Sequence, residues 1–103
     1  MVAAKPSESE AWYQSLFAAH PDALFILDEQ GRILDANPAA VECYGYAREE
    51  LLGMSAGRLY ASDLQHKAGE NLKRAMEGPV RFESRHERRG GSEFHVEISA
   101  RPA

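Results

Sequence analysis

Residues 35–55 read DANPAAVECYGYAREELLGMS, and the choice between a reactive loop and a folding frame turns on them. The stretch holds no Ser/His/Asp set, no metal-ligand spacing and no glycine-rich phosphate loop. It holds helix punctuation instead. Asn37 precedes Pro38, and an asparagine before a proline at the first helical position can accept from an orphan amide while the proline loses nothing by lacking its own. Ala40, Val41 and Tyr44 follow at three-to-four spacing, which predicts a short helix ended by Gly45. A second short helix is read at residues 47–52 with Gly53 as its C-terminal glycine, and Glu49 stands near its start, where unpaired amides favour a carboxylate. The expected role is scaffold: caps and stops that fold small helices over a sheet.

Working outward, residues 23–28 form a short apolar run, residues 29–31 read as a turn and residues 32–36 return. That is a hairpin, with Gly31 free to take a positive φ. Upstream, Ser7 and Glu10 offer a capping box for a helix at about 9–19, with Trp12, Leu16 and Phe17 as a narrow apolar stripe and His20-Pro21 as the stop. His20 reads as a helix-end imidazolium favoured by the dipole. Residues 1–8 are expected to be a flexible tail.

Downstream, Ser62 is expected to cap one longer helix through Glu77, with Leu64, Ala68, Leu72, Ala75 and Met76 on one face and Gly78-Pro79 ending it. Val80, Phe82, Ser84 and His86 then alternate with charged residues, residues 89–92 turn, and Phe94, Val96, Ile98 and Ala100 alternate on the return. The order is helix, hairpin, small helices, longer helix, hairpin. It predicts an α+β plan with helices on one face of an antiparallel sheet.

Composition narrows the function classes. A chain of 103 residues with 44% apolar content suits one domain with one modest core. The net charge of −4 comes from interspersed charges, so nothing marks a surface for nucleic acid or an anionic membrane. Arg85, Arg88 and Arg89 are read as a solvated hairpin tip. One cysteine, Cys43, forms no intramolecular disulfide and leans toward a reducing, cytosolic setting, including the cytosolic part of a membrane-anchored sensor. No apolar run approaches the roughly 18 residues a membrane-spanning helix needs. Glu49 and Glu50 are helix neighbours and do not converge on one substrate, so the chain is expected not to be an enzyme.

With the order of elements on the page, the motifs resemble those of a PAS domain, a small sensory module of signal-transduction proteins. The residues that carry the resemblance are Gly31, Asn37 with Ala39, Gly45-Tyr46, Glu49 with Leu51-Leu52-Gly53, and the turn at residues 88–91. It covers roughly residues 9–101, so the domain is taken as 9–103, with a flanking helix and a core at about 22–101. The resemblance implies a cavity between sheet and small helices, with Tyr44, Tyr60, Leu72, Met76, Phe82 and Ser84 as pocket candidates. It implies a non-enzymatic sensing or dimerising role in a histidine kinase or diguanylate cyclase type of protein, as a homodimer through the sheet and the Trp12, Leu16, Phe17 face. A haem or other cofactor sensor is the alternative. His66 is the residue haem-binding relatives would use, yet it falls off the apolar stripe beside Gln65 and Lys67. The flavin motif's cysteine is missing from residues 58–62. The family sheet has five strands, with the last one central. Four can be read here, so the last strand is expected to be missing and an edge left open.

Overall fold

The computed structural model describes the backbone of residues 8–102 and the side chains of residues 14–102. Among them the order is α1 (Glu8–Ala19), β1 (Phe25–Leu27), β2 (Ile33–Ala36), α2 (Pro38–Tyr44), α3 (Arg48–Leu51), two 3-10 turns (Ala56–Leu59 and Ser62–Lys67), α4 (Ala68–Glu77), β3 (Val80–Glu87) and β4 (Glu93–Ala100). The α+β class expected from the pattern is what forms. The Ser7 cap and most of the 1–8 tail lie outside the described residues.

The first hairpin turns because Asp28 Oδ1 accepts from the amides of Gln30 and Arg32, each at 2.9 Å, while Gly31 takes φ 81°. Gly31 also makes room: a Cβ there would stand 3.2 Å from Leu72 Cδ2, so α4 closes on the turn. The second hairpin pairs Val80 with Ala100 through to Glu87 with Glu93. Phe82, Ser84 and His86 therefore share a face with Phe94, Val96 and Ile98, as the alternation predicts. Each hairpin is a separate two-stranded sheet among the described residues: β1 pairs with β2, β3 with β4, and no ladder joins them.

The core sits over β2 and the small helices, around Ile33, Ala36, Ala40, Tyr44, Leu51 and Leu59. Ala36, Ala40, Tyr44 and Leu51 all come from the stretch that looked like punctuation. Asn37 caps α2 through its side chain, Pro38 opens the helix, and Gly45 ends it at φ 78°. At α3 the capping carboxylate is Glu50, whose Oε1 accepts the Ala47 amide at 3.0 Å, while Glu49 stays exposed. Glu50 is the residue three beyond the cap, and only from there does a side chain reach back.

Three local expectations are corrected. Residues 62–77 are not one α-helix: Ser62–Lys67 winds as 3-10, with the Leu64 amide donating to the Ala61 carbonyl at 2.8 Å, and α4 starts at Ala68. Ser62 makes no side-chain cap, so nothing at that position starts the wider helix. His20 is an acceptor at the end of α1, its Nδ1 taking the Asp22 amide at 3.1 Å. The arginine cluster is not a free tip. Arg85 pairs with Asp63 and Glu93, Arg89 with Glu50, and Arg88 lies 4.2 Å above the Phe94 ring while its Nε donates to the Cys43 carbonyl.

Candidate functional site

Where the C-terminal end of α2 meets β3, five rings converge. Tyr44 stands edge-on to Phe25 (5.4 Å between centroids) and to Phe94 (5.2 Å), and His86 lies 4.8 Å from Tyr60. The sequence brings them together by simple means. The last residue of α2 points at the sheet, β3 presents His86 on its inward face, and the Ala61 amide donates to the Arg85 carbonyl at 2.9 Å, holding Tyr60 alongside the strand.

Polar groups thread this apolar cluster. Tyr44 Oη lies 2.6 Å from His86 Nδ1, and Tyr60 Oη accepts from Asn71 Nδ2 at 3.2 Å. Burial pushes the Tyr44 hydroxyl well above its usual range, helped by Cys43 and Tyr60 and opposed by Arg88. Burial likewise pulls the His86 imidazole down to about 4. Both groups are thus neutral near pH 7, so Tyr44 donates, Nδ1 accepts, and the ring proton belongs on Nε2. That Nε2 is buried and has no hydrogen-bond partner. It is the one buried side-chain polar atom left unsatisfied among the described residues, and such an atom carries a cost of about 1–3 kcal/mol until something accepts from it.

The opposite end of α2 is built differently. Asn37 is fully buried and fully engaged: Oδ1 accepts from the amides of Leu24 (2.9 Å) and Ala40 (3.0 Å). Its Nδ2 donates to the carbonyls of Phe17 (3.1 Å), His20 (3.3 Å) and Asp22 (2.9 Å). Beside it an open cleft of about 600 Å³ runs between α1 and the β2–α2 junction, lined by Phe17, Ala36 and Val41 and edged by the Arg48–Asp35 pair.

A family model described as the PAS fold matches residues 17–103. This chain belongs to the PAS family.

As a PAS domain it is a sensory, non-catalytic module. It is similar to a domain of a sensory box sensor histidine kinase/response regulator from Geobacter sulfurreducens, at 34% identity and TM-score 0.84, covering 92% of this chain and 84% of that one. The PAS domain of an HTR-like protein from Haloarcula marismortui follows at 28% identity and TM-score 0.77, covering 89% and 77%. Among curated proteins, a methyl sulfide methyltransferase-associated sensor of Methanosarcina acetivorans is 32% identical over 96 residues, 91% of this chain. The chain spans 10% of that relative's length.

Of the pocket candidates, the PAS domain brings Tyr44 and Tyr60 into the cluster. Phe82 and Ser84 lie half-buried further along the same face of β3. Leu72 serves the hairpin turn at Gly31 instead, and Met76, one helical turn later, is half exposed and outside the cluster. The motif residues hold structural posts: Gly31, Gly45 and Gly53 take positive φ, and Ala39 and Tyr46 are half-buried. The expected dimer stripe divides. Leu16 is exposed, Phe17 is half-buried over the cleft, and the Trp12 side chain lies outside the described residues. His66 is exposed in the second 3-10 turn between exposed Gln65 and Lys67, and as placed it does not fit a buried axial ligand for haem.

His86 is the residue the sequence reading passed over. Its parity with Phe82 and Ser84 already places it on the inner face. A histidine continuing an inward apolar row was the available signal.

Proposed function

We propose that this PAS domain is the input module of a signalling protein of the histidine kinase or diguanylate cyclase type, and that it reads a small uncharged molecule carrying a hydrogen-bond acceptor. The observation that carries the reading is the buried, unpartnered Nε2 of His86. An acceptor placed against it completes the network, and a charged molecule is disfavoured because both neighbouring groups are held neutral by burial. The half-buried Phe82 and Val96 supply the adjoining apolar wall, with the Ser84 hydroxyl between them on the same face. Native mass spectrometry of protein purified without additives tests it, alongside a thermal-shift panel of small alcohols, amides and ketones. A co-purified mass or saturable stabilisation, absent in the Tyr44→Phe/His86→Phe pair, is the expected result. If no compound binds and nothing co-purifies, the reading fails.

Assembly belongs to the same proposal. Leu16 on α1 and Ile26 and Leu27 on β1 are exposed large apolar residues, and β1 and β4 each pair on one side only among the described residues. We take residues 9–103 as the domain, with a homodimer forming through α1 and the sheet. Leu16→Asp and Trp12→Asp are expected to weaken self-association in sedimentation. A clean monomer with a closed sheet would exclude it. No helix among the described residues is long and apolar enough to cross a membrane, and a cytosolic position is the one proposed.

A further inference from the structure

We infer that α2 is a strut that couples the Tyr44–His86 pair to the end of α1, with Asn37 as its movable joint. The helix is seven residues, so its ends lie about 10 Å apart along its axis, and it is too short to bend over that span.

Its C-terminal end is gripped from three directions by the second hairpin. The Tyr44 hydroxyl meets His86 Nδ1 at 2.6 Å, the Arg89 amide donates to the Tyr44 carbonyl at 2.9 Å, and Arg88 Nε donates to the Cys43 carbonyl at 3.1 Å. A change in the ring position of His86 is therefore a change in the position of α2.

At the N-terminal end the demand exceeds the supply. The Asn37 amide has two hydrogens, yet three carbonyls, of Phe17, His20 and Asp22, lie within 2.9–3.3 Å of its nitrogen. One hydrogen is shared or one carbonyl is underserved. Phe17 is in the last turn of α1, where carbonyls lack helical partners. Small displacements of α2 thus redistribute bonds among the Phe17 carbonyl at the end of α1 and the His20 and Asp22 carbonyls beyond it. Such a redistribution is a discrete element that both ends can bias, which is what coupling between sites requires. The inference concerns how the domain responds and stands whether or not a ligand occupies the cluster.

The test perturbs one end and reads the other without any ligand. Tyr44→Phe removes only the hydroxyl, leaving the ring against Phe25 and Phe94. In ¹⁵N NMR spectra of the 103-residue chain, the Asn37 side-chain amide and the backbone amides of residues 17–20 and 22 are expected to shift, while those of Arg81 and Glu97 stay in place. Shifts confined to the neighbourhood of residues 44 and 86 overturn the strut. The reverse experiment uses Asn37→Ser, which keeps a capping oxygen and removes the donors, and expects the His86 ring resonances to move. In a double-mutant cycle, substitutions this far apart ordinarily act independently; here the unfolding constant of the double variant is expected to depart at least about fivefold from the product of the singles. Independence within error, with Tyr44→Phe shifts that stay local, rejects the coupling. Should Asn37→Ser not fold, the Tyr44→Phe spectra decide alone.

Discussion

Among the described residues the two buried polar side chains, Asn37 and His86, meet opposite ends of one short helix and are treated in opposite ways. Asn37 has five hydrogen-bond contacts and nothing left over, and it ties α1, the approach to β1 and α2 into one joint. His86 has one partner and one buried nitrogen without any. A satisfied network specifies a fold, whereas a half-satisfied one stores a cost that a binding partner can relieve. The difference separates the end of α2 whose bonds are all made from the end that can still take a new partner.

The largest expected effect breaks the satisfied end. Asn37→Ala removes the cap and leaves buried amides and carbonyls without partners, and about 3–4 kcal/mol of stability is expected to go. Urea unfolding followed by circular dichroism measures it, and a loss under about 1 kcal/mol would show that water replaces the joint. Because Asn37 does not titrate, this penalty is expected to be the same at pH 5 and pH 7.

His86 sharpens the contrast through pH. Its imidazole is near 6.5 when unfolded and about 4 when folded, so the unfolded chain binds a proton first. Stability is expected to be full above pH 6.5, to fall as pH drops from 6.5 toward 4, and to have lost up to about 3 kcal/mol from this residue below that. Unfolding curves across that range are expected to show the loss in the natural sequence and a shallower one in the Tyr44→Phe/His86→Phe pair. Parallel curves would place the proton elsewhere.

A smaller effect dissects the pair itself. Tyr44→Phe alone strands Nδ1 and is expected to cost about 1–2 kcal/mol, whereas changing both residues to phenylalanine removes donor, acceptor and orphan together and should come within about 1 kcal/mol of the natural sequence. If the double change is as costly as the single one, ring shape rather than the hydrogen bond matters. Smallest of all, Arg48→Ala at the cleft edge breaks an exposed pair with Asp35 and should change stability by less than about 0.5 kcal/mol.

Much of this was legible in residue spacing. The caps of α2 and both hairpin turns follow from side-chain chemistry acting within a few residues, and the β3–β4 register follows from strict alternation. The long-range half was not legible. That Asn37 would serve three carbonyls at residues 17–22, or that Arg88 would leave solvent to cap α2 while resting on Phe94, depends on contacts 15–45 residues apart in the chain. The 3-10 winding of Ser62–Lys67 was hidden for a related reason, since apolar spacing at three and four residues suits both kinds of helix.

The grip of the second hairpin on α2 also orders events in time. Tyr44 finds its hydroxyl partner 42 residues later in the chain, and the Cys43 carbonyl finds Arg88 45 residues later. On the ribosome, α2 and the first hairpin emerge well before the strands that hold them, with Tyr44 and Phe25 still facing water. Closure of these distant contacts is slow compared with forming a helical turn. The centre of the core, although encoded early, is expected to be the last part to set, and a nascent chain halted before β3 should remain open to proteolysis there.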